Sequence, residues 1–126
     1  MRPPAYYGTV LAPASLAEHY ARVADASPIP LIVYNIPKYT HVMLQDSVLR
    51  AVAEHERVLG FKDSSGDLAF MMRMIAAIRP LRPDFTFLTG WEAVLVPMLM
   101  VGCDGGTNAT SGVVPEVTRK LYDLTR

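Results

Sequence analysis

Residues 58–67 read V-L-G-F-K-D-S-S-G-D, a short apolar run that ends in Lys62 and passes at once into a Ser/Gly/Asp turn. An apolar run of this length, bounded by turn signals, suits a buried strand of a parallel sheet. In α/β proteins the carboxyl ends of such strands face the cleft where ligands are held. A lysine at that address stands beside low-dielectric walls that disfavour its charged form, which frees the amine to attack a carbonyl. The competing reading is a lysine whose stem follows the strand end and whose head reaches water.

Working outward, the same kind of run recurs. Upstream, Pro30 to Tyr34 is a compact apolar strand closed by Asn35-Ile36-Pro37, and between the two runs Leu44, Val48, Leu49 and Val52 give a helix its apolar stripe. Downstream, Leu68, Met71, Met72, Ile75 and Ile78 form another helical stripe before Pro80. Phe85 to Leu88 is a third strand with Thr89-Gly90 as its turn. Glu92 to Met100 is a helix that admits Pro97 only with a kink or a late start. Asp104 to Asn108 is a short fourth strand, and Pro115 opens a last helix at the position where proline is tolerated. At the other end, Met1 to Pro13 carries Pro3, Pro4 and a Tyr6-Tyr7 pair without periodicity and reads as a loop. Ser15 with Glu18 three residues on forms a capping box for a helix that carries Leu16, Tyr20 and Val23 and stops near Ser27-Pro28.

Strands and helices alternate with short connections, which predicts a parallel sheet with helices packed outside. Each strand-helix repeat spans roughly 25 to 30 residues, so a closed eightfold barrel needs about 250. The chain has 126. The fold class is therefore α/β, about four strand-helix units with parallel strands, half of what a (β/α)8 barrel needs, with residues 1–126 forming one unit and no linker or low-complexity tract.

Composition narrows the function. Twelve basic residues balance twelve acidic ones, with no basic face or charge run to recruit nucleic acid or anionic membrane. Cys103 is the only cysteine, which excludes an intrachain disulfide and a cysteine-built zinc site. The N-terminus lacks the basic-then-apolar plan of a signal peptide, and the longest apolar stretch, Ala93 to Val101, is far short of a membrane span. The expectation is a cytoplasmic protein. Gly102 to Gly106 is glycine-rich without the lysine and helix pattern of a phosphate-binding loop. Asn108-Ala109-Thr110 meets the glycosylation rule only formally. His19, His41 and His55 have no metal-ligand spacing, so no metal and no cofactor are expected.

Of three lysines, Lys38 follows Pro37 in a loop and Lys120 falls in the final helix beside Arg119, which leaves Lys62 alone with a strand-end address. Tyr34 has the same address on the preceding strand, and consecutive strands of a parallel sheet are often neighbours. A phenol within hydrogen-bond reach can relay protons while a lysine forms and dehydrates a carbinolamine. Taken alone, Tyr34 can equally be an aromatic that caps the core.

The runs Leu31 to Pro37 (L-I-V-Y-N-I-P), Gly60 to Asp67 (G-F-K-D-S-S-G-D), Leu88 to Glu92 (L-T-G-W-E) and Gly102 to Gly106 (G-C-D-G-G) together resemble the dihydrodipicolinate synthase/N-acetylneuraminate lyase family. These are pyruvate-dependent class I aldolases and lyases on a (β/α)8 barrel. The resemblance runs over the whole chain and covers the C-terminal half of the family's barrel. It implies that Lys62 forms the imine and Tyr34 shuttles protons. It further implies that Ser64 contacts distal substrate hydroxyls, that Gly90 lines the same cleft, that Glu92 is the lyase branch's acidic residue, and that Thr107 and Asn108 flank the pyruvyl group. Four of these also have a plainer reading: Ser64 as part of its turn, Gly90 as a tight bend, Glu92 as balance to a helix N-terminus, Asn108 as a backbone partner.

The departures narrow the branch. Tyr39 stands where synthases carry an arginine for a substrate carboxylate, and Ala93 stands where sialic acid lyases carry a second acid. The best fit is an aldolase joining or cleaving pyruvate (or another 2-oxo acid) and an aldehyde, such as a 2-keto-3-deoxy sugar acid aldolase. 4-Hydroxy-tetrahydrodipicolinate synthase is the alternative within the family. His41 replaces a common glycine, and Tyr6-Tyr7 is similar to the family's relay tyrosine loop one residue out of register. The family's loop that cradles the pyruvate carboxylate belongs to the other half of the barrel. The partner expected is therefore a second copy or a complementary half barrel, and the alternative from another functional class is a catalytically silent association module.

Overall fold

The computed structural model of the chain describes residues 12–126. The Tyr6-Tyr7 pair lies outside the described residues. Helix α1 (Pro13–Ala26) leads into strand β1 (Leu31–Asn35). A single turn, α2 (Pro37–Thr40), and helix α3 (Asp46–Ala53) connect β1 to β2 (Val58–Asp63). Helix α4 (Leu68–Ile78), strand β3 (Thr86–Thr89), helix α5 (Leu95–Met100), strand β4 (Gly105–Gly106) and helix α6 (Pro115–Thr125) complete the order.

The four strands pair in parallel in the order β1-β2-β3-β4. Each crossover therefore steps in the same direction, and right-handed crossovers of one sense put every helix on one face of the sheet. That is a segment of barrel wall, since a doubly wound sheet reverses its order partway and carries helices on both faces. Side chains alternate accordingly. Val33, Phe61 and Phe87 point beneath the helices and are fully buried, with Phe61 meeting Phe70 of α4 edge to face at 6.0 Å between ring centroids. On the opposite face Ile32 is 42% exposed. Among the described residues no helix is long and apolar enough to cross a membrane.

Several local expectations shift. Helix α1 begins at Pro13, with Ala12 as the cap and no side-chain capping bond, so Ser15 lies inside the first turn and the capping box is not made. Proline at the first helical position supplies the fixed φ and needs no N–H partner, which moves the cap three residues earlier, from Ser15 to Ala12. The buried stripe of α1 is Leu16, Tyr20 and Ala24, with Val23 turned partly out. The segment after Thr89-Gly90 starts as a 3-10 turn at Glu92–Val94 and becomes α-helical only at Leu95, the late start that Pro97 demands. Strand β4 shrinks to Gly105–Gly106, because glycines offer no side chains to hold a longer strand in place.

Between α4 and β4, Arg79 grips Asp104 with both arms, Nη1 to Oδ1 at 3.1 Å and Nη2 to Oδ2 at 2.8 Å, while the Phe87 N–H donates to Oδ2 at 2.8 Å. Burial works to raise the Asp104 pKa, but the Arg79 and Phe87 hydrogen bonds win and hold it below the usual carboxylate range. A depressed carboxylate contributes stability that is present above its unfolded pKa, near 4, and is lost as pH falls through the folded value. Asp104→Ala is expected to cost about 1–2 kcal/mol at pH 7, after allowance for solvent screening of a partly exposed pair. Urea unfolding should show that difference shrinking below about pH 4; a difference that stays constant with pH would mean the ion pair contributes nothing.

Candidate active site

Lys62 and Tyr34 are register partners on β2 and β1, and the row continues to Leu88 and Gly105. Parallel pairing of consecutive strands brings the two side chains to the same face at the carboxyl end of the sheet. The Lys62 Nζ stands 4.0 Å above the centroid of the Tyr34 ring. Both residues are half-buried. The ring face attracts a cation at this distance, and it would attract a protonated imine for the same reason. Ser64, the first residue beyond β2, donates from Oγ to the Tyr34 hydroxyl at 3.1 Å. Gly90 closes the group from β3: a Cβ there would overlap Ser64 Oγ and come within 2.8 Å of Lys62 Cε. Here the glycine serves close approach rather than an unusual backbone, since its φ is not positive.

The residues one step further along each strand face the other way. Asn35 and Asp63 are register partners, and both are completely buried. The Asn35 Nδ2 donates to Asp63 Oδ1 at 2.7 Å; the Ser65 Oγ and N–H donate to Oδ2 at 2.7 and 3.2 Å. Burial raises the Asp63 pKa, opposed by the hydrogen bonds from Ser65 and Asn35. Sequence reasoning left Asn35, Asp63 and Ser65 without roles. The available signal was a polar residue directly after each strand-end candidate, on the face that period two assigns to the core. Trp91 was also missed. It packs on Gly66, whose φ of +78° is the left-handed conformation that favours glycine.

The remaining candidates lie on the neighbouring segments after β3 and β4. Thr107 and Asn108 follow β4, two strands from Lys62 and thus roughly 10 Å away by ordinary strand spacing. Asn108 is buried, and its Nδ2 has no hydrogen-bond partner among the described residues. Glu92 opens the 3-10 turn after β3. Among the described residues no hydrogen bond or ion pair links Glu92, Thr107 or Asn108 to Lys62, Tyr34 or Ser64. His41 is exposed and takes a left-handed conformation, φ 57°, at the end of α2, which explains why a glycine would also suit the position. Tyr39 is 61% exposed on that turn.

Other chemistries find little support in the side chains present. Among the described residues no group of three or more His, Cys, Asp or Glu is placed to hold a metal ion. Burial, with the negative charge of Asp104 and Asp63 adding to it, pushes the Cys103 thiol up to about 12, so it is not a thiolate nucleophile at neutral pH. The arrangement suits an amine that attacks an electrophilic carbon beside a hydroxyl pair able to move protons.

Comparison with known proteins points the same way. The pattern of the dihydrodipicolinate synthetase family matches residues 3–126. An uncharacterized DapA-like lyase of Thermofilum pendens is 32% identical over 98% of this chain and 41% of its own length. A 4-hydroxy-tetrahydrodipicolinate synthase of Exiguobacterium is 38% identical over 87% of this chain and 36% of its own. An Escherichia coli protein named as a probable 2-dehydro-3-deoxy-D-pentonate aldolase is 29% identical over 93% and 39%. Among solved structures, YagE of E. coli, a protein of the dihydrodipicolinic acid synthase family in complex with pyruvate, superposes with a TM-score of 0.89 at 28% identity, over 97% of this chain and 41% of that one. The dihydrodipicolinate synthase of Bacteroides thetaiotaomicron gives 0.88 at 31% identity, over 99% and 41%. The chain thus spans about two fifths of the length of the relatives it matches. A lysine and a phenol facing each other across adjacent strands of a barrel wall therefore sit on a sequence whose family is established: the chain belongs to the dihydrodipicolinate synthetase family.

Proposed function

We propose that the chain carries the imine-forming part of a class I lyase that makes or breaks a carbon-carbon bond between pyruvate and an aldehyde. The Lys62 amine adds to the ketone carbon of the 2-oxo acid, giving a carbinolamine that loses water to become a protonated imine. In the cleavage direction the bond between the β and γ carbons breaks. Its electron pair moves toward the iminium nitrogen as an enamine, and the distal fragment leaves as an aldehyde once its hydroxyl proton is taken up. Protonation of the enamine and hydrolysis return pyruvate and the free amine. Tyr34 is the group that accepts and returns protons in these steps, with Ser64 donating to its hydroxyl. The observation that carries the reading is the Lys62 Nζ held 4.0 Å over the Tyr34 ring, at a strand end, with that hydroxyl already in a hydrogen bond to Ser64.

The substrate class follows from chemistry at the rim. No guanidinium stands at Tyr39 to hold a second carboxylate, whereas Ser64, beyond the phenol, suits a hydroxylated chain. A 2-keto-3-deoxy sugar acid fits this better than aspartate semialdehyde, and one relative bears the name of such an aldolase. Thr107 and Asn108, just beyond β4, are assigned to the flank of the pyruvyl group, and Glu92, at the start of the turn after β3, to the acidic position of the lyase branch.

Incubation with pyruvate and borohydride, read by intact mass, tests the reading directly. One reduced pyruvyl group per chain is the expected result. No adduct at any pyruvate concentration would leave the chain as a silent association module. Tyr34→Phe should still yield the adduct, but about 10²–10⁴-fold more slowly, the range for losing a positioned proton-transfer group. An unchanged rate would remove Tyr34 from the proton path.

A further inference from the structure

We propose that Asp63 is a positioning residue: its buried carboxyl group, gripped by Asn35 and Ser65 behind the sheet, sets the turn that presents Ser64 to the Tyr34 hydroxyl on the front. The inference rests on the reading of Lys62 and Tyr34 given above and deepens it. The supporting geometry is all on one strand end. Asp63 directly follows Lys62 and points to the opposite face, where it is completely buried. An acidic group there is unfavourable unless its oxygens are occupied. Oδ1 takes the Asn35 Nδ2 at 2.7 Å, and Oδ2 takes the Ser65 Oγ at 2.7 Å and the Ser65 N–H at 3.2 Å.

These contacts tie together every segment that contributes to the front of the sheet. Asn35 follows Tyr34, and its Oδ1 accepts the Leu44 N–H at 3.2 Å, which fastens the stretch after α2 to the same point. Ser65 follows Ser64 in the turn. The main chain makes matching links: the Ser64 N–H donates to Asn35 O at 2.9 Å and the Gly90 N–H to Asp63 O at 2.6 Å. A rotation of the Ser64-Ser65 turn would carry Ser64 Oγ off the phenol, whose bond at 3.1 Å has no slack. One residue behind the sheet thus fixes the heights of Tyr34, Ser64 and Gly90 relative to Lys62, as a second layer of hydrogen bonds commonly does for a catalytic group.

The test reads Tyr34 itself. The chain is labelled with 13Cζ-tyrosine, and the Tyr34 resonance is identified by its loss in Tyr34→Phe. Ser64→Ala removes the donor and should move that resonance. Asp63→Asn keeps size and the Asn35 contact but presents an amide to the Ser65 N–H, and it should move the Tyr34 resonance to the Ser64→Ala position. The double variant should move it no further. In borohydride trapping, Asp63→Asn should slow adduct formation about tenfold to a hundredfold, the scale of a small misplacement. In a Ser64→Ala background it should change the rate by less than about twofold, because two residues acting through one contact are not additive. If Asp63→Asn does not fold, Ser65→Ala, which removes one donor and keeps the carboxyl, is read by the same criteria. A Tyr34 resonance that stays at its wild-type position in these variants, while Ser64→Ala moves it, overturns the proposal, as does a full additive loss of rate in the double variant. A wild-type chain that traps no pyruvate sinks the imine reading but leaves the resonance to decide on Asp63.

Discussion

Lys62→Ala is expected to abolish pyruvate trapping completely while leaving the fold intact, the largest effect in this molecule. The side chain is only half-buried and makes no hydrogen bond to another residue among those described, so its removal leaves neither a sealed cavity nor an orphaned polar group. The stability cost should stay within about 1 kcal/mol, the range of a substitution away from the core, as measured by urea unfolding. The chemistry, by contrast, loses the one lysine placed at a strand end among the described residues. Lys62→Arg sharpens the point. A guanidinium keeps the positive charge and can lie on the Tyr34 ring, yet it stays protonated and cannot attack a ketone. Both variants should therefore give no adduct, although one retains the charge. Trapping that survives in Lys62→Ala would shift the nucleophile to Lys38 or Lys120. Lys38 is exposed, 5.7 Å from the Tyr39 ring centroid against the 4.0 Å between Lys62 and the Tyr34 ring, and Lys120 is exposed on α6, so neither shares the half-buried strand-end place of Lys62.

Much of this was legible in the chain because the physics of a barrel wall is local. Val58 to Phe61 and Pro30 to Tyr34 are apolar runs too short for helices, and the stripes of α3 and α4 repeat at helical spacing, so strand and helix alternate without ambiguity. The pairing of Tyr34 with Lys62 followed from parallel order alone. What escaped depends on contacts between segments. Pro13 starts α1 ahead of Ser15, its φ preset for the first helical position where no N–H partner is needed. The turn at Pro37–Thr40 is held by Thr40 Oγ1 bonds to Ile36 O and Val42 O, which no periodicity announces. Asp63 looked like part of a polar turn, and only the sheet shows it facing inward against Asn35. Glu92 and Asn108 were placed by resemblance, and the 3-10 turn that Glu92 opens and the two-residue strand that Asn108 follows are details no periodicity announces.

Gly90→Ala should produce the second large effect, and its two clashes can be separated. A methyl group at this position would overlap Ser64 Oγ outright, stand 3.2 Å from Ser64 Cβ and press on Lys62 Cε at 2.8 Å. The first contact involves a hydroxyl engaged with Tyr34, so relief means either breaking that hydrogen bond or moving the β3 turn, whose Gly90 N–H is tied to Asp63 O at 2.6 Å. Either route costs about 1–3 kcal/mol, typical of overpacking. The second contact displaces the end of the lysine from the ring face, where a shift of about 1 Å can slow a positioned reaction about a hundredfold. Removing the Ser64 hydroxyl tells the two apart. In Gly90→Ala combined with Ser64→Ala the outright overlap is gone while the pressure on Lys62 Cε remains. Unfolding measurements should then return most of the lost stability relative to Ser64→Ala alone, but pyruvate trapping should stay about a hundredfold slower than in that single variant. Recovery of both together would mean that Gly90 matters only for packing against Ser64, and that the open space beside Lys62 is incidental to the chemistry.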